Sequence, residues 1–314
     1  MTSRQRPRSV QPGATLGIVA PSSPGDPQVF QEAVALLESW GYKVKVGPNA
    51  LARNGWIAGI DEQRAADFNA LWADPEVDAV LAARGGYGAM RILDLIRWDL
   101  VRANPKFFIG FSDITALHCA MQRKAGQVTF HGPMPAAFGY LEYSAAGLRR
   151  ALTSAAALGE IPLPPGTAAP PVPELVTFRP GVAEGPIMGG NLTLLSALMG
   201  TPYEPDLDGH ILLIEDVDEI PRKVDRMLVQ LRLSGKLRRV AGILFGDSPS
   251  CMHGPEGTQT LFDVIRDQLL PLGVPVLYGF PCGHTPYRAT IPLGVPARLD
   301  ATAGTLTLLE PALV

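Results

Sequence analysis

The chain is short of cysteine, of charge and of long apolar runs, and each scarcity removes a class of protein. Three cysteines in 314 residues, Cys119, Cys251 and Cys282, are too few and too far apart for a disulfide framework or a CxxC metal knuckle. Charged residues make up only 18% of the chain, with 27 Lys and Arg against 30 Asp and Glu, so the formal net charge is −3. Without a basic excess there is no electrostatic hold on nucleic acid or on a membrane surface, and neither partner is expected. No apolar run nears the ~20 residues that span a bilayer. Arg4, Arg6 and Arg8 precede only a short apolar stretch, residues 14–20, which runs into Pro21-Ser22-Ser23-Pro24. A secretory signal has a longer apolar region ending in a small-residue cleavage site. The expectation is a frayed basic tail, then a first strand, in a cytoplasmic protein.

Apolar residues are plentiful, at 46%, which suits a chain with a sizeable core and not a disordered one. At ~150 residues per domain the length fits two domains. In the first half, short apolar runs at 14–20, 44–46, 79–83, 107–111 and 128–130 read as strands. Between them lie helix-period segments at 27–40, 61–72, 89–96 and 113–123. Phe30, Ala33, Leu36 and Leu37 form one apolar stripe, and Asp61 and Glu62 suit the first turn of a helix. Such alternation predicts a parallel sheet with helices on both faces, which gathers ligands at the carboxyl ends of its strands. Residues 161–186 then hold eight prolines (162, 164, 165, 170, 171, 173, 180 and 186), too many for a helix or a central strand. Three parts follow: an α/β domain over 1–155, a proline-rich linker over 156–186, and a smaller domain over 187–314. For the last part a helix to about 199, strands at 210–214 and 242–245, a helix at 222–233 and short terminal strands predict a mixed α+β or barrel-like unit.

Gly110-Phe111-Ser112-Asp113 joins an apolar strand to a helix. A serine there lies on a sharp turn, with backbone N–H groups beside it that could meet an oxyanion. The GxSxG pattern fails, because residue 114 is Ile, and taken alone a serine in that place is more often a helix cap. Arg84-Gly85-Gly86-Tyr87-Gly88 ends another strand and permits close backbone approach to a ligand. It is no dinucleotide fingerprint, since Arg91 stands where a third glycine is needed, and taken alone it is more often a tight turn. A nucleophilic serine needs a base and a group to orient that base. His118 lies about 240° round the helix from Ser112 and should face away. His210 opens a strand and His253 lies in a polar loop, 248–257, which leaves His131 and His284; spacing does not choose between them. In the cluster Glu215-Asp216-Val217-Asp218-Glu219, Asp218 and Glu219 read as a solvated loop capping the next helix. Glu215 continues a buried strand and so needs a partner. No His or Cys stands at ligand spacing from these acids, and no metal is expected.

Taken together, the segments Gly17-Ile-Val-Ala-Pro-Ser, Arg84-Gly-Gly-Tyr-Gly, Gly110-Phe-Ser-Asp-Ile-Thr-Ala, Phe130-His-Gly-Pro-Met, Gly189-Gly-Asn-Leu, Gly200-Thr-Pro-Tyr, Ile214-Glu-Asp-Val and Gly283-His resemble the LD-carboxypeptidase family. That family comprises muramoyl-tetrapeptide carboxypeptidases with microcin-immunity peptidases as a branch. The resemblance implies a triad of Ser112, Glu215 and His284. It implies a flavodoxin- or Rossmann-like N-terminal domain, a β-rich C-terminal domain, an active site between them, and a homodimer. The implied reaction is release of the terminal D-Ala of muropeptide tetrapeptides in cytoplasmic peptidoglycan recycling, without cofactor. Gly86 and Asp113 are the expected backbone oxyanion donors, and Arg84, Tyr87, Asn191 and His131 the expected substrate contacts. An arginine is the sensible partner for the substrate's terminal carboxylate, and none is singled out. Two other readings stand beside this one. The first is a microcin-immunity-like peptidase cutting an amide between an acidic amino acid and a nucleotide-like sulfamoyl group. The second is a non-catalytic module whose glycine-rich loop holds an anion.

Overall fold

The computed structural model describes residues 4–135, 141–166, 172, 174–254 and 259–314. Its first half runs β1 (Thr15–Val19), α1 (Pro27–Ser39), β2 (Lys43–Val46), α2 (Asp61–Ala73), β3 (Ala79–Ala82), α3 (Trp98–Ala103), β4 (Phe107–Gly110), α4 (Thr115–Ala125), β5 (Thr129–His131) and α5 (Glu142–Thr153). Its second half runs β6 (Gly159–Glu160), β7 (Val176–Arg179), β8 (Val182–Asn191), α6 (Leu192–Ala197), β9 (Ile211–Glu215), α7 (Pro221–Leu233) and β10 (Gly242–Gly246). It ends with α8 (Leu261–Leu269), β11 (Val276–Phe280), β12 (Ile291–Leu293), β13 (Pro296–Asp300) and β14 (Thr305–Leu308).

Strands β1 to β5 are parallel and lie in the order β5-β4-β3-β1-β2, the flavodoxin-like arrangement. Strands β3 and β4 are buried throughout, as expected of a sheet covered on both faces. Helix α1 starts where Asp26 accepts the Gln28 and Val29 N–H groups and Pro27 presets the first turn, and it buries Phe30, Ala33 and Leu37. The helix expected at 89–96 is instead a 3-10 helix, Ala89–Leu95. Its ends are tied down, Ala89 N–H donating to Asp113 and the Asn69 amide donating to Leu95 O. The helix expected at 113–123 opens with a separate 3-10 turn, Ser112–Ile114, before α4.

The second sheet has the order β6-β14-β13-β8-β9-β10-β11-β7, with β8 to β11 parallel and the flanking strands antiparallel. It curls until its ends approach: Thr177 Oγ1 donates to Ala301 O at 2.6 Å and Ala301 N–H to Gly181 O at 2.9 Å. The structure is thus the two-sheet α/β fold, with a curled β-rich second unit. The proline-rich segment is more than a linker. It supplies β6 and β7, the two outer strands of the second sheet, and the start of the central strand β8. Proline lacks an N–H for the ladder, and the proline-free window before Arg179 is placed at an edge. Of the prolines counted above, Pro170, Pro171 and Pro173 lie outside the described residues.

The halves are interleaved. Strand β12, from residues assigned to the second domain, completes the first sheet by pairing antiparallel with β5. The N-terminal tail is not frayed from residue 4 onward, because Gln5 bridges to Gln127, Arg6 pairs with Glu310, and Arg4 Nη2 donates to His210 Nε2 at 3.2 Å. Residues 1–3 lie outside the described residues. Gly190, at φ 139°, lets β8 press against Thr115 of α4, whose hydroxyl accepts the Asn191 N–H at 2.9 Å. Among the described residues no helix is long and apolar enough to cross a membrane.

Candidate active site

In an open parallel sheet a ligand lies outside the carboxyl ends of the strands, where the order reverses. Here that place is between β1 and β3, whose ends carry the loop of residues 20–26 and the glycine-rich loop, with β4 and Ser112 alongside. Ser112 has φ 64°; among the described residues only Asp218 is another non-glycine with positive φ. Holding a serine there is costly, and such strain collects at functional turns. Gly85 is fitted to it: a Cβ on Gly85 would lie 2.9 Å from Ser112 Cβ and 3.1 Å from Oγ. Gly86 takes φ 110°, and a Cβ there would run into Ser23. Ser23 ties the loop down, since its N–H donates to Gly85 O at 3.3 Å and its Oγ accepts Tyr87 N–H at 3.1 Å. Among the described residues the Gly86 and Asp113 N–H groups meet no acceptor, so both remain available.

Asp113 contributes a brace as well as a backbone donor. Its buried carboxyl accepts Ser22 Oγ at 2.6 Å and Ala89 N–H at 2.7 Å, joining the ends of β1, β3 and β4. Burial pushes its pKa up, against the pull of those two hydrogen bonds.

Glu215 ends β9 and is fully buried. His284, in the turn after β11, donates from Nδ1 to Glu215 Oε2 at 2.6 Å. Among the described residues the other ring nitrogen, Nε2, has no partner, and neither does Ser112 Oγ. Ser112 and His284 line one cleft of about 590 Å³ with Arg84, Gly85, Gly86, Phe111 and Arg288. The Phe111 ring packs against the imidazole, with centroids 4.9 Å apart, and the Arg288 Cζ lies 4.8 Å from its centroid. Beside Glu215, the Asp216 carboxylate accepts Asn191 Nδ2, Thr193 Oγ1 and the Thr193 and Val217 N–H groups. Burial, and then the Glu215 charge, raise its pKa.

The geometry separates the two histidines that spacing left open. His131 is fully buried, donates from Nε2 to Cys282 O at 2.7 Å and packs edge-on to Phe111, so it stands behind the cleft wall and not in it. Burial lowers its pKa and keeps the ring neutral. Asn191 also lies away from the cleft, because its Oδ1 caps α6 at Leu194 N–H and its Nδ2 holds Asp216. Tyr87 is 52% exposed and does not line the cleft. Arg84 does line it, with Nη1 donating to Pro24 O at 3.2 Å. His118 turns inward and donates to Gly110 O at 3.0 Å. Sequence reasoning missed Phe111 and Arg288; the available signal was that Arg288 is the one cation in the turn-rich stretch 280–289. Among the described residues no group of three His, Cys, Asp or Glu side chains is set to hold a metal ion.

A strained serine beside free backbone donors, lining one cleft with a histidine held by a buried carboxylate, is equipped for acyl transfer. Comparison with known proteins agrees. The chain matches the LD-carboxypeptidase N-terminal domain over residues 16–132 and the LD-carboxypeptidase C-terminal domain over residues 184–299. It is 39% identical to the "Probable murein peptide carboxypeptidase" of Bacillus subtilis, over 96% of this chain and 94% of that one. It is 32% identical to the murein tetrapeptide carboxypeptidase of Pseudomonas aeruginosa, over 91% of this chain and 92% of that one. The structure of the Microcin C7 self-immunity protein MccF in the wild-type apo state superposes with a TM-score of 0.91 at 26% identity, covering 99% of this chain and 100% of that one. The family matches and the relatives agree, and the chain belongs to the LD-carboxypeptidase family of peptidases.

Proposed function

We propose that the protein is a serine LD-carboxypeptidase that releases the terminal D-Ala of muropeptide tetrapeptides, with Ser112, His284 and Glu215 as its triad. The observation that carries this reading is the buried Glu215–His284 hydrogen bond, 2.6 Å long, ending in the cleft that Ser112 lines. Ser112 Oγ attacks the carbonyl of the L-centre residue before D-Ala while His284 Nε2 takes the hydroxyl proton. Glu215 fixes the tautomer with the proton on Nδ1 and stabilises the imidazolium. The new oxyanion meets the Gly86 and Asp113 N–H groups. Collapse breaks the amide, and Nε2 returns its proton to the departing D-Ala amine. Water, deprotonated by His284, then hydrolyses the seryl ester to give the tripeptide. Nucleophile, base and oxyanion donors all come from the chain, and no cofactor enters the steps. The setting is cytoplasmic recycling of cell-wall peptides by a homodimer, as the family likeness implies.

The close superposition on MccF favours a second reading, cleavage of an aminoacyl-sulfamoyl nucleoside. That substrate calls for an aromatic surface under its base. Among the described residues Phe111 is the cleft-lining aromatic ring besides the histidine, and it already packs against His284 and Arg288, which favours the muropeptide. Turnover of both substrate classes by the same preparation decides the matter. For the triad itself, Ser112→Ala is expected to lower kcat for D-Ala release by at least ~10⁴-fold. A mutant that keeps wild-type release removes Ser112 from the mechanism. His284→Ala is expected to fall as far, and His131→Ala much less.

A further inference from the structure

Cleavage leaves two pieces, and the mechanism gives each its end of the cleft. The departing amine takes its proton from His284 Nε2, so D-Ala rests at the imidazole. The peptide that becomes the seryl ester takes the remainder, where the lining includes Asp26 and Val29 at the start of α1. Asp26 is the one acidic side chain of that lining among the described residues. Half of its carboxylate is in use, because Oδ1 accepts the Gln28 and Val29 N–H groups at 2.9 and 3.2 Å as the helix cap. Oδ2 has no hydrogen bond, and the carboxylate no ion pair, among the described residues. Two arginines hold this segment by its backbone and not by that carboxylate: Arg84 Nη1 donates to Pro24 O and Arg53 Nη2 to Gly25 O, both at 3.2 Å. Ala58 N–H adds a hydrogen bond to Ser22 O at 2.9 Å. The free oxygen thus belongs to a firmly held turn, as a specificity contact requires.

We infer that Asp26 binds the side-chain ammonium of a diamino acid immediately before the scissile bond, so that peptides with this amine free are preferred to those in which it is acylated. The inference rests on the carboxypeptidase reading above. The span between the two groups suits such a residue. Strand β3 lies between β4, which leads into Ser112, and β1, which leads into Asp26. Two strand spacings are about 10 Å. An extended side chain of lysine length carries its nitrogen about 7 Å from its own carbonyl carbon, and a hydrogen bond adds about 3 Å. Val29, one helical turn from Asp26 and in the same lining, offers apolar surface to the methylenes between. Acylation of the amine, as in a cross-link to a second peptide, removes the charge that Asp26 meets and adds bulk beside it. The contact steers the site toward single, uncrosslinked peptides.

The test uses tetrapeptides ending in D-Ala with L-lysine or meso-diaminopimelate in third place, each with its side-chain amine free or acetylated. Wild type is expected to favour the free amine by about 10-fold in kcat/KM for at least one of the two pairs, mainly through KM. That is the worth of one charge-assisted hydrogen bond at a solvent-facing site. Asp26→Asn keeps an oxygen to cap α1 and removes the charge. It should bring the preference below about 3-fold, and high salt should weaken the preference of wild type but not of the variant. Damage to the cap alone would lower free and acetylated peptides alike, so an Asn variant that retains the wild-type preference overturns the inference. A wild type that takes both forms equally in both pairs overturns it too. Calorimetric binding of the same peptides to Ser112→Ala, with and without Asp26→Asn, gives the comparison independently of turnover. Absence of D-Ala release from every peptide by wild type would instead bring down the carboxypeptidase reading, and the binding ratio would still judge Asp26.

Discussion

Glu215 shows what a single atom does here. Its Oε2 holds the Nδ1 proton of His284, while Oε1 is buried without a partner among the described residues. Glu215→Gln keeps the shape and removes the charge that favours an imidazolium. It is expected to cut kcat for D-Ala release by ~10²–10⁴-fold with little change in KM. A kcat within a few-fold of wild type would detach Glu215 from the reaction. Part of this was legible in the chain. A carboxylate continuing the buried run of β9 announces that it has a partner. Which histidine answers could not be read, because His131 and His284 both end apolar runs and only the sheet order tells which one meets Glu215. Arg288 was invisible for a similar reason, since an arginine in a turn looks like a solvated one until Phe111 is found beneath it. His118 supplies a different test. Burial lowers its pKa from 6.5 to about 3, so the unfolded chain takes up a proton below 6.5 that the folded chain refuses. The stability it supports is full above 6.5 and is lost as pH falls toward 3. At pH 5 that loss is about 2 kcal/mol for this one group. His118→Gln should therefore show a smaller drop in Tm than wild type between pH 7 and 5, whatever its starting stability. Parallel curves would refute the assignment.

At the level of elements, the site depends on two turns built for each other, one strained at Ser112 and one stripped of side chain at Gly85. Gly85 has an ordinary φ, so alanine there costs little in backbone terms but presses on Ser112 Cβ and Oγ at 2.9 and 3.1 Å. Gly85→Ala is thus expected to leave Tm within a few degrees and, with Ser112 as the proposed nucleophile, to reduce kcat by about 10–100-fold, because small displacements of a reacting group are costly. A folded variant of full activity would mean that the loop does not set the serine. The alternation that predicted the parallel sheet was carried by fully apolar strands such as β3 and β4, which is why those elements were plain. Helix α8 and strand β11 were not anticipated. The helix did carry a signal, a capping box in which Thr260 and Asp263 satisfy each other's backbone. Strand β7 was concealed by the prolines around it, which bar a central strand and allow an edge.

For the molecule as a whole, the division of labour between halves matters more than either half. Ser112 comes from the first sheet; Glu215 and His284 come from the second sheet and the turn beyond it. A hinge between independent domains would leave their meeting to chance, and the structure is laced against that. Strand β12 returns from the second half to pair with β5, with Ile291 opposite His131 and Leu293 opposite Thr129. His131 then donates to Cys282 O, two residues from His284, at 2.7 Å. At the other end of the seam Gly294 N–H reaches Ile187 O at 2.7 Å, and Gly190 presses on Thr115. Unfolding the second half would strip an edge strand from the first sheet and leave the buried His131 without its acceptor, a penalty of ~1–3 kcal/mol for that group alone. The two sheets should therefore melt together. Calorimetry is expected to give one transition whose van't Hoff and calorimetric enthalpies agree, and urea should abolish D-Ala release at the midpoint seen by circular dichroism. Two resolved transitions, with activity lost in the first, would mean that the halves are held together more loosely than these contacts require. The joining of serine to histidine would then depend on domain closure and not on the fixed fold.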